Sequence, residues 1–404
     1  MGKIRGIELC YPGKIIDERR VYGMYNPVDL IPVREFYPRG LKPLMGDNWK
    51  NMLIFGDSRE VLRTLLEREE ISGKVALVYT DPPYATGKVF RKGKTVSSSG
   101  DAEVAYVDYS LGPEYLEFIR HNLIFLRDVL SDSGSIYLHI GLQAAHYVKI
   151  LMDEVFGVEN FLNDIARVKS NPKNFHRKAY GNIRDSILFY SKAPRKNLWN
   201  DPREPYTEED LERLFPKVDE NGRRYTTVPA HAPGETKNGE TGKPWKGMMP
   251  PKGRHWRYPP KVLDELDRQG RIEWSKNGVP RIKIYADEYA EKGKKMQDVW
   301  LNYKDPPYPE YPTQKNLEMV KKIIEASSNP GDIVLDAFCG SGTTAVAAEL
   351  TGRRWICIDN SPTAIKVALK RILEVQRRPF VLLDATGDVA LLQEAVEEVI
   401  KQKR

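Results

Sequence analysis

Asp81-Pro82-Pro83-Tyr84 has the residue types to handle a planar ring bearing an amine. The Asp81 carboxylate and the Pro82 carbonyl are pure acceptors, and an exocyclic amino group offers two donors. Tyr84 can stack on a ring face. Proline fixes φ, so the acceptors stay aimed with little entropy lost on binding. The four residues follow an apolar, β-branched run, Val75-Ala76-Leu77-Val78-Tyr79-Thr80, which reads as a buried strand of a parallel sheet. Two prolines cannot continue a ladder, so the chain leaves the sheet at Asp81. In open α/β sheets ligands bind at that carboxyl edge. An ordinary Asp-Pro turn uses the same letters, so these residues alone leave both readings open.

A second stretch suggests a nucleoside-bearing cofactor. The short strand Ile333-Val334-Leu335 is followed by Asp336-Ala337-Phe338-Cys339-Gly340-Ser341-Gly342-Thr343-Thr344, with a helix starting at about Thr343. Gly340 and Gly342 permit a tight turn and close approach of a ligand to the backbone. The third glycine of the dinucleotide fingerprint is missing, and so is the Gly-Lys-Ser/Thr of a P-loop. Further on, the strand Trp355–Ile358 ends at Asp359, where an acid can accept from a ribose diol. The three cysteines, Cys10, Cys339 and Cys357, have neither metal-ligand nor disulfide spacing, so no metal is expected.

The elements that must position these groups alternate between strand and helix. Asn51–Phe55 reads as a strand, Ser58 as a cap, and Arg59–Arg68 as a helix with Val61, Leu62, Leu65 and Leu66 on one face. Glu114–Leu130 is an amphipathic helix ended by Ser131–Gly134, Ser135–Ile140 a buried strand, and Ala144–Phe156 a helix. This order implies an α/β fold with a mostly parallel sheet and helices on both faces. The polar stretch from Ala85 to Gly100 reads either as a flap beside the site or as plain disorder. Residues 1–48 read as an irregular arm. Ile165–Lys169 and Ser186–Tyr190 read as two strands around a polar loop, and Leu317–Ser327 as a helix.

Between them the composition changes. The chain carries a net charge of +7, yet residues 167–304 alone hold 30 Lys and Arg against 19 Asp and Glu. A segment this basic suits a phosphate-facing surface. Aromatics lie among its cations at Trp245-Lys246, Arg254-His255-Trp256-Arg257-Tyr258 and Trp274-Ser275-Lys276. That interleaving fits phosphate contact with base stacking, and equally fits local packing. A second Asp305-Pro306-Pro307-Tyr308 follows no apolar strand and reads as a linker. No segment reaches the roughly 18 uninterrupted apolar residues of a membrane span. Nothing near Met1 resembles a secretory leader, so a cytoplasmic, reduced protein is expected.

Taken together, the motifs and their order resemble the β-class DNA amino-methyltransferases. The Asp81 motif comes first, a basic target-recognition insertion follows, and Pro312-Thr313-Gln314-Lys315 and the Gly340 motif come last. The resemblance covers roughly residues 50–165 and 305–372. It implies a Rossmann-like fold dependent on S-adenosylmethionine, divided into an arm (1–48), a first catalytic part (49–166), a DNA-binding insertion (167–304) and a cofactor-binding part (305–404). It makes Asp81, Pro82, Pro83 and Tyr84 catalytic. Phe338, Gly340, Gly342, Thr343 and Thr344 would line the cofactor, Asp336 would lie near its amino-acid end and Asp359 would hold the ribose. Asp57 would sit near the adenine and Lys315 near the methionine carboxylate. Asp at the motif's first position points to N6 of adenine, with N4 of cytosine as the alternative. The implied partners are duplex DNA, whose target base is flipped out, and a cognate restriction endonuclease; monomer and homodimer both stay open. An RNA or protein-amide methyltransferase and a silent nucleic-acid-binding subunit are the rival readings.

Overall fold

The computed structural model describes residues 8–38, 49–91, 104–172 and 178–402. Most of the flap expected after Tyr84 therefore lies outside the described residues. Two compact units form, residues 1–200 with 297–404 and residues 201–296.

The first unit is built on a ten-stranded sheet. In chain order its strands are β1 (Ile31–Phe36), β2 (Asn51–Phe55), β3 (Val75–Thr80), β4 (Leu130–Ile140), β5 (Phe161–Val168), β6 (Arg184–Ser191), β7 (Val299–Trp300), β8 (Ile333–Asp336), β9 (Arg354–Asp359) and β10 (Phe380–Asp384). Their spatial order is β1-β10-β2-β9-β8-β3-β4-β6-β5-β7. The run from β10 to β4 is parallel throughout. Those strands are near-continuous apolar because both of their faces are covered: all of β2 and β8 and all but Ala76 of β3 are buried. Truncating one such side chain, Leu335 to Ala, costs about 2–5 kcal/mol.

Helices α1 (Ser58–Leu65), α2 (Pro113–Val129), α3 (Leu142–Phe156), α4 (Leu317–Ser327), α5 (Thr343–Leu350), α6 (Pro362–Val375) and α7 (Val389–Gln402) accompany the sheet. Asp57 caps α1, accepting from the Arg59 N–H at 2.8 Å, while the expected cap Ser58 turns inward to Asn122 at 2.7 Å. The expected break at Ser131–Gly134 does not form, and β4 begins at Leu130 directly after α2. The Glu349 carboxylate is buried at the end of α5 and is fully engaged. It accepts from Asn51, Trp355 and the backbone of Arg377 and Arg378, tying α5 to β2 and β9.

Three sequence expectations change here. The N-terminal arm is not wholly irregular: it holds the helix Glu18–Met24, and β1 closes one sheet edge by pairing antiparallel with β10. The strands expected inside the insertion, now β5 and β6, belong to the main sheet, with β6 antiparallel to β4. The inserted body is therefore narrower than 167–304.

Residues 201–296 carry their own four-stranded antiparallel sheet, ordered 217–218, 224–229, 280–285, 272–274. Its core is small: Ala230, Trp245, Trp256, Leu263, Ile272 and Ile282. The chain enters and leaves this body through one ribbon, Lys294-Lys295 against Arg203-Glu204, closed by the Met296 N–H on the Pro202 carbonyl at 3.1 Å. Among the described residues no helix is long and apolar enough to cross a membrane.

Candidate active site

Strands β3 and β8 lie side by side in parallel, Leu335 opposite Val78. The chain leaves β8 toward β9 on one side and β3 toward β4 on the other, so the pair forms a topological switch point. Two motifs some 250 residues apart thus meet at one sheet edge. They line a single cavity of about 1030 Å³, measured out to its open mouth. Its wall includes Asp81, Pro82, Pro83 and Tyr84 from one motif and Asp336, Phe338, Gly340, Thr343, Thr344 and Asp359 from the other. Pro312 to Lys315 close a further side.

Both oxygens of Asp81 are engaged. The Tyr84 hydroxyl donates to Oδ1 at 2.7 Å, and the buried Lys315 ammonium meets Oδ2 at 2.7 Å. Lys315 also lies 5.0 Å from the centre of the Tyr84 ring. Lys315, expected near a cofactor carboxylate, is in this structure paired with the Asp81 carboxylate. The Tyr84 ring is also packed closely against Gly141, where a Cβ would come within 2.8 Å of it. The Tyr115 hydroxyl donates to the Pro83 carbonyl at 2.8 Å, so of the two proline carbonyls Pro82 is the one left as acceptor.

Behind Tyr84 a buried polar chain supports the motif. The His139 ring contacts the Tyr79 hydroxyl at 2.9 Å and Asp185 at 3.4 Å. Burial holds the His139 pKa below its ordinary value, so the imidazole is neutral at neutral pH. Burial alone would raise the Asp185 carboxyl, yet His139, Lys315 and Lys169 together keep it well below the usual carboxylate range. The wholly buried Arg167 reaches Asp305 and donates to the Tyr303 carbonyl at 2.8 Å. The second Asp-Pro-Pro-Tyr is therefore more than a linker: its aspartate neutralises a buried guanidinium.

On the other motif, the two acids brace the loop. Asp336 accepts from the Phe338 N–H at 3.1 Å and from the Thr344 hydroxyl at 2.5 Å. Asp359 accepts from the Gly340 N–H at 2.8 Å and the Ser361 N–H at 2.9 Å. Burial pushes Asp336 up to about 7 and Asp359 up to about 6, against those hydrogen bonds. Arg371 of α6 holds the loop from behind through the Ser341 carbonyl at 2.6 Å and the Thr343 hydroxyl at 3.0 Å.

Two expected cofactor residues stand outside the cavity wall. Gly342 caps α5 at φ +71°, and a Cβ there would sit 2.8 Å from that of Ala368, so helix packing demands the glycine. Asp57 clamps Arg59 through both carboxylate oxygens, and the Arg59 guanidinium lies 5.1 Å from the centre of the Phe118 ring. Asp57 thus acts on the wall through Arg59. Sequence reasoning missed Asp108, Tyr109 and Phe118, which line the cavity. Asp108 accepts from the Ala85 and Thr86 N–H groups just after Tyr84, and the Tyr109 ring stacks on Phe118 at 4.7 Å.

The wall's chemistry can be matched to a ligand. Among the described residues, four carboxylates (Asp81, Asp108, Asp336, Asp359) and several aromatic rings face it, with Lys315 the single lysine. That set suits a molecule bearing two positive centres, one carboxylate and a flat base. S-adenosylmethionine, with its sulfonium, ammonium, carboxylate and adenine, fits these groups.

Comparison with known proteins agrees. A DNA methylase family, N6_N4_Mtase, matches residues 75–370. The type II methyltransferase M.EcaI of Enterobacter cloacae is 45% identical over 327 residues, covering 80% of this chain and 69% of that protein. The type II methyltransferase M.KpnI of Klebsiella pneumoniae is 26% identical, covering 77% of this chain and 79% of its own length. The Mod subunit of the type III enzyme EcoP15I of Escherichia coli is also 26% identical, and the chain spans 55% of it.

Proposed function

The chain belongs to the N6 and N4 family of DNA methylases, a methyltransferase dependent on S-adenosylmethionine, and from that premise we propose that it methylates N6 of adenine at a specific duplex site. The juncture of the Asp81 and Gly340 motifs on adjacent strands carries this reading. The cofactor supplies an electrophilic methyl group on a sulfonium. Phe338, Gly340, Thr343 and Asp359 would hold it, with Asp359 accepting from the ribose.

The exocyclic amine of adenine is inaccessible inside a duplex, so the base must be everted into the cavity. Pro82 and Asp81 then accept its two N–H groups, drawing the nitrogen lone pair out of ring conjugation. Positive charge grows on that nitrogen during transfer, so the Asp81 carboxylate favours the transition state over the ground state. Lys315 fixes the carboxylate's direction but weakens it as an acceptor by partial neutralisation. Lys315 stands over the Tyr84 ring, so a base stacking on that face would displace it. Asp at the first motif position favours adenine; cytosine N4 is the second reading. A cognate endonuclease partner is proposed from the kind of relatives found.

The deciding experiment is nucleoside analysis of DNA from cells expressing the protein. N6-methyladenine is expected. N4-methylcytosine in its place would overturn the adenine assignment, and label appearing only in RNA or protein would overturn the DNA reading.

A further inference from the structure

The positive charge of the middle segment does not sit in the inserted body. Residues 201–296 hold 20 Lys and Arg against 17 Asp and Glu, while residues 167–200 hold nine against one. At least eleven of the body's cations are also in salt bridges within it, among them Arg223 with Asp287, Arg271 with Glu288 and Lys294 with Asp210. Most of that charge is therefore neutralised locally.

Topology decides where the surplus points. Strand β6 runs antiparallel to β4, with Ser186 opposite Ile140, and Val168 of β5 faces Arg184. Strand β4 is parallel to β3, with Leu138 opposite Thr80. The β5–β6 connection thus leaves the sheet at the edge that delivers Asp81. Residues 169–184 contain five cations and no acid. Lys169 is occupied by Asp185, but among the described residues Lys178 and Arg184 have no acidic partner, and both are exposed.

A second stretch of chain is fixed beside this hairpin. The Asp305 N–H donates to the Lys169 carbonyl at 3.0 Å, and Lys304 donates to Asn171 at 2.7 Å. Buried Arg167 holds Asp305 from below. The same stretch then turns inward, and Tyr311 to Lys315 line the cavity. Two tyrosines here are almost wholly exposed, Tyr180 at 101% and Tyr308 at 93%. Large rings left in water beside unpaired cations match what a nucleic-acid strand offers, phosphates and base faces.

We propose that Lys178 and, at the start of β6, Arg184, together with Lys304 and the second Asp-Pro-Pro-Tyr, form a phosphate grip for the DNA strand flanking the everted base, built from residues outside the body at 201–296. The inference rests on the DNA methylation reading. Each cation engaged with a phosphate steepens the salt dependence of binding by about 0.9 in log–log slope. Phosphate contacts also carry no sequence information.

The test uses the full chain and a mixed-sequence duplex, with affinity followed by fluorescence anisotropy from about 50 to 200 mM salt. The combined variant K178Q, R184Q, K304Q is expected to lose between two and three units of slope, with its melting temperature and methylated sequence unchanged. The control variant K237Q, K252Q, K276Q in the inserted body is expected to keep a slope close to wild type. An unchanged slope in the hairpin variant, or a changed methylated sequence, would overturn the grip while leaving the methylation reading intact. A wild-type chain that binds no duplex would overturn both.

Discussion

Asp81 already faces two donors, Tyr84 and Lys315, and in the proposed reaction its contribution would be the charge left over for a third. Asp81→Ala should cut transfer by three or more powers of ten, while cofactor affinity in calorimetry changes only a few-fold; normal turnover would refute the catalytic assignment. Asp336 and Asp359 make a separate, pH-dependent prediction. Burial raises both folded-state values, to about 7 and about 6, above the ordinary carboxylate value. The folded chain therefore binds more protons than the unfolded one between about pH 4 and 7, and these two groups make stability fall as pH rises through that window. A cationic ligand favours the ionised forms, so its binding should strengthen from pH 5 to 7 with proton release. Calorimetry in buffers of different ionisation enthalpy reads that release, and Asp359→Asn should diminish it. Equal affinity and no proton release across this range would contradict the electrostatic reading of the cavity.

Among the elements, the Gly342 turn has the sharpest requirement. Gly342→Ala adds left-handed strain and a clash with Ala368, a loss of about 1–3 kcal/mol. Adding Ala368→Gly should relieve the steric part alone, and denaturant titration of both variants separates the two terms. Full recovery in the double variant would show that the φ of +71° carries no strain. The strands and helices with strong periodicity, such as Val75–Thr80, Leu317–Ser327 and Thr343–Leu350, were legible because burial sets their pattern locally. The partners of β1, β5 and β6 were not, because register across a sheet is chosen by residues far away along the chain. The aromatic clusters misled for a related reason. Trp245 and Trp256 sit with cations in sequence but form the core of a small body, where a base cannot reach them. Asp108 had no signal at all, since its partners at 85 and 86 are defined only by the returning loop.

At the scale of the molecule, both halves of the site were readable as motifs, and their contact was readable only through the resemblance. No local pattern says that the strand ending at Asp336 lies against the one ending at Thr80. The compact unit at 201–296 is shorter than the expected insertion of 167–304, because two sheet strands and much of the positive charge belong to the first unit. A clean excision therefore starts after Asn200. Replacing residues 201–296 by a short Gly-Ser linker should leave cofactor affinity within a few-fold of the parent and abolish site selection; loss of the folded sheet would contradict the independence of the two cores.

Because the chain crosses into and out of that body through one narrow ribbon, its two attachment points are neighbours. Such an attachment behaves as a socket. A foreign body could be plugged into it with the splice confined to Pro202 and Met296, and if site selection resides there, as the excision prediction holds, the address would change while the chemical engine stayed unaltered.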